Sequence, residues 1–178
     1  MRRLPDEYAI TRTAPDEIPA LIAIDLAAGA LFADTGLLSA DALADHVPHE
    51  VFEQAIEAGD LIVARCPARQ PVGFALPSRR GGTLYLAQIS VHPGHGRKGI
   101  GAVLIDRVVA DARTRRLRCV TLSTFRDLPW NGPFYRRLGF REIARSKLAD
   151  WMLDLEKVQA ASLDVSLRCF MMRRTRWL

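Results

Sequence analysis

Cysteine is scarce in this chain. Cys66, Cys119 and Cys169 are odd in number and far apart, a pattern that makes neither a disulfide framework nor a zinc site, so buried thiols are expected. A secretory leader is also lacking, because Met1-Arg-Arg-Leu-Pro-Asp-Glu7 has no apolar core, and no run is expected to approach the roughly 18 apolar residues of a membrane span. These absences make the cytoplasm the expected location and leave no expected membrane partner. Aromatic residues make up only 7% of the chain, and neither a stacking platform nor a recognition-helix motif is visible. Nucleic acid is therefore not an expected partner, despite a net charge of +5 and a pI near 9.6. Only the tail Arg173-Arg174-Thr175-Arg176 is locally dense in charge. His49-Glu50 does not extend to HExxH, and no metal is expected. What remains is 178 residues, 49% hydrophobic and 25% charged, enough for one globular domain over residues 1–178 with a substantial core and no internal repeat or linker.

The most informative segment is Leu84-Tyr-Leu-Ala-Gln-Ile-Ser-Val91, followed by His92 through Gly101 and an apolar-periodic run from Ala102. It reads as strand, glycine-rich turn and helix start. The free N–H groups of a helix N-terminus carry partial positive charge, and glycines admit a phosphate to the backbone, so a diphosphate suits this cradle. Arg97 and Lys98 add full charges. Gly94-His-Gly96-Arg-Lys-Gly99 is also a literal GxGxxG, but the dinucleotide fingerprint needs an acid about 20 positions on, at the end of the next strand. That strand, Arg118 to Ser123, ends in Ser123 and Thr124. A P-loop is excluded because no Gly-Lys-Ser or Gly-Lys-Thr follows.

Around this segment the elements alternate. Tyr8 to Arg12 reads as a strand, and Thr13-Ala-Pro-Asp16 offers a capping box before Ile18, Leu21, Ile22 and Leu26 at helical spacing. Gly29 to Asp45 is loop-like or weakly helical, and Val51, Phe52, Ala55 and Ile56 mark a helix that Gly59 ends. Strands are expected at Leu61 to Cys66 and Val72 to Pro77, with turns at Pro67 to Pro71 and Arg79-Arg-Gly-Gly82. Ile100, Leu104, Val108 and Ala112 share one face of a crossover helix, which leads to a parallel strand at Cys119 to Ser123. Trp130 to Leu138 forms a short helix stopped by Gly139, and Phe140 to Ala144 the next strand. Leu148, Trp151, Met152, Leu155 and Val158 mark a last helix, and Leu167 to Met172 a closing strand.

This order, with Val91-His-Pro93 through Gly99-Ile-Gly101 and the segment from Thr124 through Asn131 and Tyr135 to Gly139-Phe140, resembles the GCN5-related N-acetyltransferase (GNAT) superfamily. The first stretch is similar to the V-x-P…Q/R-x-x-G-x-G/A acetyl-CoA signature, the second to the superfamily's Asn…Tyr…Gly-Phe segment. The resemblance implies an α/β fold of mixed α+β character, a single mixed central sheet of about seven strands flanked by helices on both faces. One position departs: the signature Gln or Arg is Gly96 here. Main-chain N–H groups do most of the holding in such a cradle, so the missing donor costs about 1–3 kcal/mol, and Arg97 or Lys98 can supply the charge.

By that resemblance the chain uses acetyl-CoA as co-substrate to acetylate a primary amine of a small molecule or peptide. A non-catalytic acyl-CoA-binding or sensor domain of the same fold is the alternative, and a homodimer is compatible with either. Ile89, Ser90 and Val91 would act through main chain on the pantetheine arm and thioester, and Gly96, Arg97, Lys98, Gly99, Ile100, Gly101 and Ala102 would hold the diphosphate. Asn131 would contact pantetheine, or simply cap the helix that holds Pro133; Tyr135 would be the general acid, or a core aromatic beside Phe134. Phe32, Asp34 and Gln88 are acceptor-side candidates, with Leu31, Leu37 and Leu38 as apolar lining; Asp34 alternatively supports the turn Ala33-Asp-Thr-Gly36. The strand before the loop offers no carboxylate base, which leaves water, Asp25, Asp34 or Glu50, with His92 or His95 as a relay or as loop structure.

Overall fold

In the computed structural model, which describes residues 3–175, seven strands form one mixed sheet in the order β1-β2-β3-β4-β5-β7-β6. They are β1 (Ala9–Thr11), β2 (Ile62–Arg65), β3 (Pro71–Arg80), β4 (Thr83–Val91), β5 (Cys119–Phe125), β6 (Arg141–Glu142) and β7 (Arg168–Arg174). The flanking helices are α1 (Ile18–Gly29), α2 (Ala40–Ala44), α3 (His49–Glu57), α4 (Ile100–Thr114), α5 (Gly132–Arg137) and α6 (Asp150–Gln159). The sheet, its seven strands and the element order agree with the expectation from sequence. Met1 and Arg2, and Arg176 of the basic tail, lie outside the described residues. The chain divides into two compact units, one running to Pro77 and including Ala87–Val108, the other made of Ser78–Leu86 and the residues from Val109 onward.

In the first unit, β1 pairs antiparallel with β2 through Ala9↔Arg65, Ile10↔Ala64 and Thr11↔Val63, and β2 pairs antiparallel with β3 across a bulge at Ala64/Arg65. The core joins Ile18, Leu21 and Ile24 of α1 to Phe52, Val63, Phe74 and Leu76, with the Phe52 and Phe74 rings edge-to-face at 5.1 Å. The run Pro15–Thr35 is helical over 21 residues and is long and apolar enough to cross a membrane, contrary to the expectation that no such run exists. A core helix has the same composition, and Ile18 and Leu21 have no solvent exposure here. Residues Gly29 to Asp45, expected as loop or weak helix, form a 3-10 segment Ala30–Thr35 followed by α2. Gly59, at φ +67, ends α3 as expected.

The capping acid of the first helix is Glu17 and not Asp16: Thr13 Oγ1 and the Ala14 N–H both donate to Glu17 Oε2. Arg65 also grips it bidentately, Nη1 donating to Oε1 at 2.6 Å and Nη2 to Oε2 at 2.7 Å. A second acid is buried outright. Asp25 is 6% exposed; its Oδ1 accepts from Gln88 Nε2 at 2.7 Å and Ser90 Oγ at 2.6 Å, and its Oδ2 accepts from the Val47 N–H at 2.9 Å. The helix face therefore turns inward at Asp25, and Leu26 is only half-buried.

In the second unit, β5 pairs antiparallel with β7 along its whole length, from Cys119↔Arg174 to Phe125↔Arg168, and β6 adds to β7 through Arg141↔Met172 and Glu142↔Met171. β4 lies parallel to β5 at Leu84↔Val120 and Tyr85↔Thr121, as the crossover requires. Several boundaries move. β3 runs through Pro77 to Arg80, so the turn into β4 is Gly81-Gly82 alone, at φ +51 and +77, a conformation open to glycine. β5 runs two residues past Ser123, because Thr124 and Phe125 pair with Cys169 and Arg168. β6 is shorter than Phe140–Ala144, since Phe140 turns into the core against Tyr135. Val158 is 71% exposed and not on the buried face of α6, which docks through Met152 and through Trp151 against Tyr85 and Phe170. All three cysteines are buried thiols, as expected.

Two outcomes follow from the buried acids. The Arg65 hydrogen bonds, opposed in part by burial, pull the Glu17 carboxyl from 4.5 to about 2. Its contribution is complete above the unfolded value near 4.5 and is lost as pH falls toward 2. Glu17→Gln should lower stability at neutral pH by about 1–2 kcal/mol and flatten the acid limb of a denaturation midpoint plotted against pH. Asp25→Asn should cost about 2 kcal/mol in urea denaturation, because an amide N–H replaces one acceptor and faces a donor in a dry site.

Candidate functional site

The glycine loop is built by a sequence of backbone commitments. The His92 N–H donates to the Val72 carbonyl at 2.9 Å, closing β4 against β3. Pro93–His95 then makes one 3-10 turn, capped by the Gly94 N–H donating to His92 Nδ1 at 3.1 Å. Gly99 stands at φ +77 with no heavy atom within 4 Å of where a Cβ would project. The Val103 N–H donates to the Gly99 carbonyl at 3.1 Å as α4 begins. The N–H groups of Ile100, Gly101 and Ala102 therefore precede the first intrahelical donor, Val103, and belong to the set that a helix start leaves without a helical acceptor. A helix start of this kind is the geometry that an anion cradle requires, with open space beside Gly99.

Three features of the loop were not legible in its sequence. Arg97 adopts φ +56, the left-handed region, while Gly96 before it is extended at φ −62 and ψ 164. The loop thus places a charged residue, not the glycine, in the conformation that costs a side chain about 1 kcal/mol. Lys98 is not free: its Nζ donates to Tyr8 Oη at 3.0 Å and sits 5.5 Å from the Tyr8 ring. Tyr8 Oη in turn bonds His95 Nδ1 at 2.9 Å, bracing the loop from a strand 87 residues away. Burial, then Lys98, then His92 lower the His95 pKa, so the ring stays neutral. His92 and His95 are loop structure.

Of the strand residues, Ser90 is buried and its hydroxyl is committed to Asp25, so any role beyond packing is through its main chain. Ile89, Ser90 and Val91 lie beyond the two register pairs that join β4 to β5. A Cβ on Gly73 would stand 3.0 Å from the Ser90 carbonyl, which shows how closely β3 approaches β4 on its other side. Gln88 is half-buried, and its Nε2 is directed to Asp25 at 2.7 Å and Ser90 Oγ at 3.3 Å. Phe32 is half-buried and Asp34 is exposed. The turn following them is held by Thr35, whose Oγ1 donates to the Phe32 carbonyl and accepts from the Leu37 N–H, with Gly36 at φ +68. The turn role expected of Asp34 belongs to Thr35. Glu50 is exposed in the first turn of α3, and His49 pairs with Glu53 at 3.4 Å. Among the described residues, no group of three or more His, Cys, Asp or Glu could hold a metal ion.

The second unit carries the other two expected residues. Asn131 stands at the N-cap position of α5, but its side chain makes no capping bond. Its Nδ2 donates to Thr124 Oγ1 at 2.8 Å, and its Oδ1 is buried with no hydrogen-bond partner. The capping alternative is thereby corrected, and an orphaned acceptor replaces it. Gly132 makes this possible: a Cβ there would stand 2.8 Å from the Arg126 carbonyl carbon and closer still to its oxygen. Tyr135 is 7% exposed and edge-on to both Phe134 and Phe140, at 5.3 and 5.7 Å. Burial pushes its phenol far above the ordinary value, with Arg168 pulling part of the way back.

A protein-family model described as an acetyltransferase (GNAT) domain matches residues 57–142. Solved structures share the fold at low identity. N-acetylglutamate synthase from Neisseria gonorrhoeae, complexed with coenzyme A and N-acetyl-glutamate, matches with a TM-score of 0.71 and 16% identity over 96% of this chain, which spans only 35% of that one. PaiA N-acetyltransferase from Thermoplasma acidophilum, in complex with coenzyme A, matches at 0.67 and 12% identity over 94% of this chain and 98% of its own. The ribosomal-protein-S18-alanine N-acetyltransferase from Escherichia coli matches at 0.65 and 15% identity over 96% of each chain. The domain match spans the glycine loop, Asn131 and Tyr135, so residues 57–142 carry an acetyltransferase (GNAT) domain, and the chain shares its fold with these acetyltransferase structures over nearly its whole length.

Proposed function

We propose that this protein transfers an acetyl group from acetyl-CoA to a primary amine of a small molecule or peptide. The observation that carries this reading is the start of α4, where a left-handed Gly99 with open space beside it precedes three N–H groups without a helical acceptor. Structures of the same fold solved with coenzyme A support it.

When bound, acetyl-CoA supplies an acetyl group activated as a thioester. The cradle N–H groups and Arg97 would neutralise the diphosphate, and Lys98 adds charge from its post on Tyr8. The main chain of Ile89 to Val91 would align the pantetheine arm and donate an N–H toward the thioester carbonyl. Asn131 Oδ1, buried without a partner, would accept a pantetheine amide N–H and lose the cost of standing alone. Gln88 spends its Nε2 on Asp25 and Ser90, so its Oε1 is left to accept an N–H of the incoming amine. Asp25 already accepts three hydrogen bonds, which leaves proton removal to water. Tyr135 carries its proton at neutral pH, as any phenol does, and would donate it to the departing thiolate, although burial makes it a weaker acid. The saturation of Asp25 also favours a second reading, an acyl-CoA-binding domain without catalysis.

Two variants test the assignment. Gly101→Val should weaken coenzyme A binding at least about tenfold in calorimetric titration, and an unchanged dissociation constant for the folded variant would remove the cradle. Tyr135→Phe should keep coenzyme A affinity and lower turnover by about 10²–10⁴-fold on an amine found by acetyl-CoA-dependent thiol release. Failure of every amine in a broad panel, with coenzyme A binding intact, would favour the non-catalytic reading.

A further inference from the structure

The second unit contains a cavity of about 180 Å³ between α6 and the β5–β7 pair, to which the acetyl-transfer reading assigns no role. Its two acids are already neutralised. Glu142 receives Arg126 Nε at 3.1 Å and has Arg136 at 3.9 Å, and Glu156 receives Arg145 Nη1 at 2.8 Å. Arg126 spends its remaining donors on the carbonyls of Ser166 and Arg168, each at 2.9 Å.

Arg168 is different. Its guanidinium lies 4.8 Å from the Phe125 ring centre, and its Nη2 donates to Ser123 Oγ at 3.2 Å. Its Nε is buried with no hydrogen-bond partner. No ion pair to Arg168 is found among the described residues, and burial is the main force lowering its pKa. A largely buried guanidinium without a counter-charge is a costly element to keep, because an anion with good geometry offsets its desolvation.

The surroundings define that anion. Among the lining residues Arg126, Arg145 and Arg168 stand against Glu142 and Glu156, so the lining itself carries one positive charge in excess, which suits a monoanion. The free Nε–H and the adjacent Nη2 form one edge of a planar fork, the shape that takes two oxygens of a carboxylate side-on. Ser123 Oγ donates to Gln159 Oε1 at 3.0 Å, so Gln159 Nε2 remains as a further donor. Ile143, Leu148 and Val165 supply apolar wall. The volume equals about six waters, room for an acid of a few carbons.

We propose that this cavity is a binding site for a short aliphatic carboxylate, held by the Nε–Nη2 edge of Arg168 with its alkyl tail against Ile143, Leu148 and Val165. The proposal rests on the second unit alone and stands whether or not the chain acetylates an amine.

The direct test follows the Arg168 Nε–Hε resonance of the full chain by ¹⁵N NMR, assigned through its loss in Arg168→Lys. Acetate, propanoate and butanoate are titrated against the matching amides at fixed ionic strength, with chloride as the balancing anion. The acids should move the resonance downfield saturably, with butanoate half-saturating at about 1 mM, and the amides should not. Ser123→Ala, which keeps the guanidinium and the fold of β5, should weaken butanoate by several-fold. Arg168→Lys should weaken it at least about tenfold in calorimetry, since an ammonium lacks the planar fork. A linear, unsaturated shift, or equal shifts with acid, amide and chloride, would overturn the proposal and leave Arg168 as a structural cation stacked on Phe125.

Discussion

The first unit depends on one buried carboxylate. Asp25 projects from an otherwise apolar helix into a site with 6% exposure, where three donors from two separate segments converge on its two oxygens. A charge in such a place is tolerated only when its lone pairs are filled, so the geometry of all three partners is constrained together. The Val47 amide fixes the approach to α3, the Ser90 hydroxyl fixes the last turn of pleat before the glycine loop, and the Gln88 amide is oriented with its nitrogen inward. The end of β4 therefore takes its geometry from an acid on α1.

The glycine loop shows a second constraint of the same kind, met by weaker means. Its helix-facing part needs no side chains, only Gly99 in the left-handed region and unpaired N–H groups beyond it. The preceding part is strained, because Arg97 rather than Gly96 takes a positive φ. Tyr8, His95 and Lys98 form a small hydrogen-bonded brace beside that strained residue. Local strain is retained where surrounding contacts over-determine the backbone, and this brace is the contact set that does so.

What could be read from sequence follows from how local the governing physics is. The strand, glycine turn and helix around Val91 to Gly101 were legible because periodicity and glycine spacing act over a few residues. So were the crossover pairing of β4 with β5 and the buried thiols. Tyr8 was not, since nothing in Tyr8 to Arg12 marks a partner at His95. Asp25 carried a signal, an acid between Ile24 and Leu26 on a helix predicted to face the core, but its partners come from strand and loop segments far along the chain. The failure of Asn131 to cap α5 depends on Gly132 lying against the Arg126 carbonyl, a tertiary contact. The apolar span Pro15–Thr35 is interrupted by Asp25 and bounded by acids at its ends, so no unbroken apolar run marks it in the sequence.

At Tyr135 the packing of the ring and the electrostatics of its hydroxyl are set by the same enclosure. Its ring is wedged between Phe134 and Phe140, which satisfies every criterion of a core aromatic. The same enclosure removes the water that would stabilise a phenolate, which raises the pKa of a phenol already protonated across the neutral range and weakens it as an acid. Arg168 opposes the effect by stabilising the phenolate electrostatically, and an anion seated on Arg168 would cancel that opposition. On the proposal that the α6 cavity takes a carboxylate, its occupancy would raise the pKa of the Tyr135 phenol further and make it a poorer proton donor.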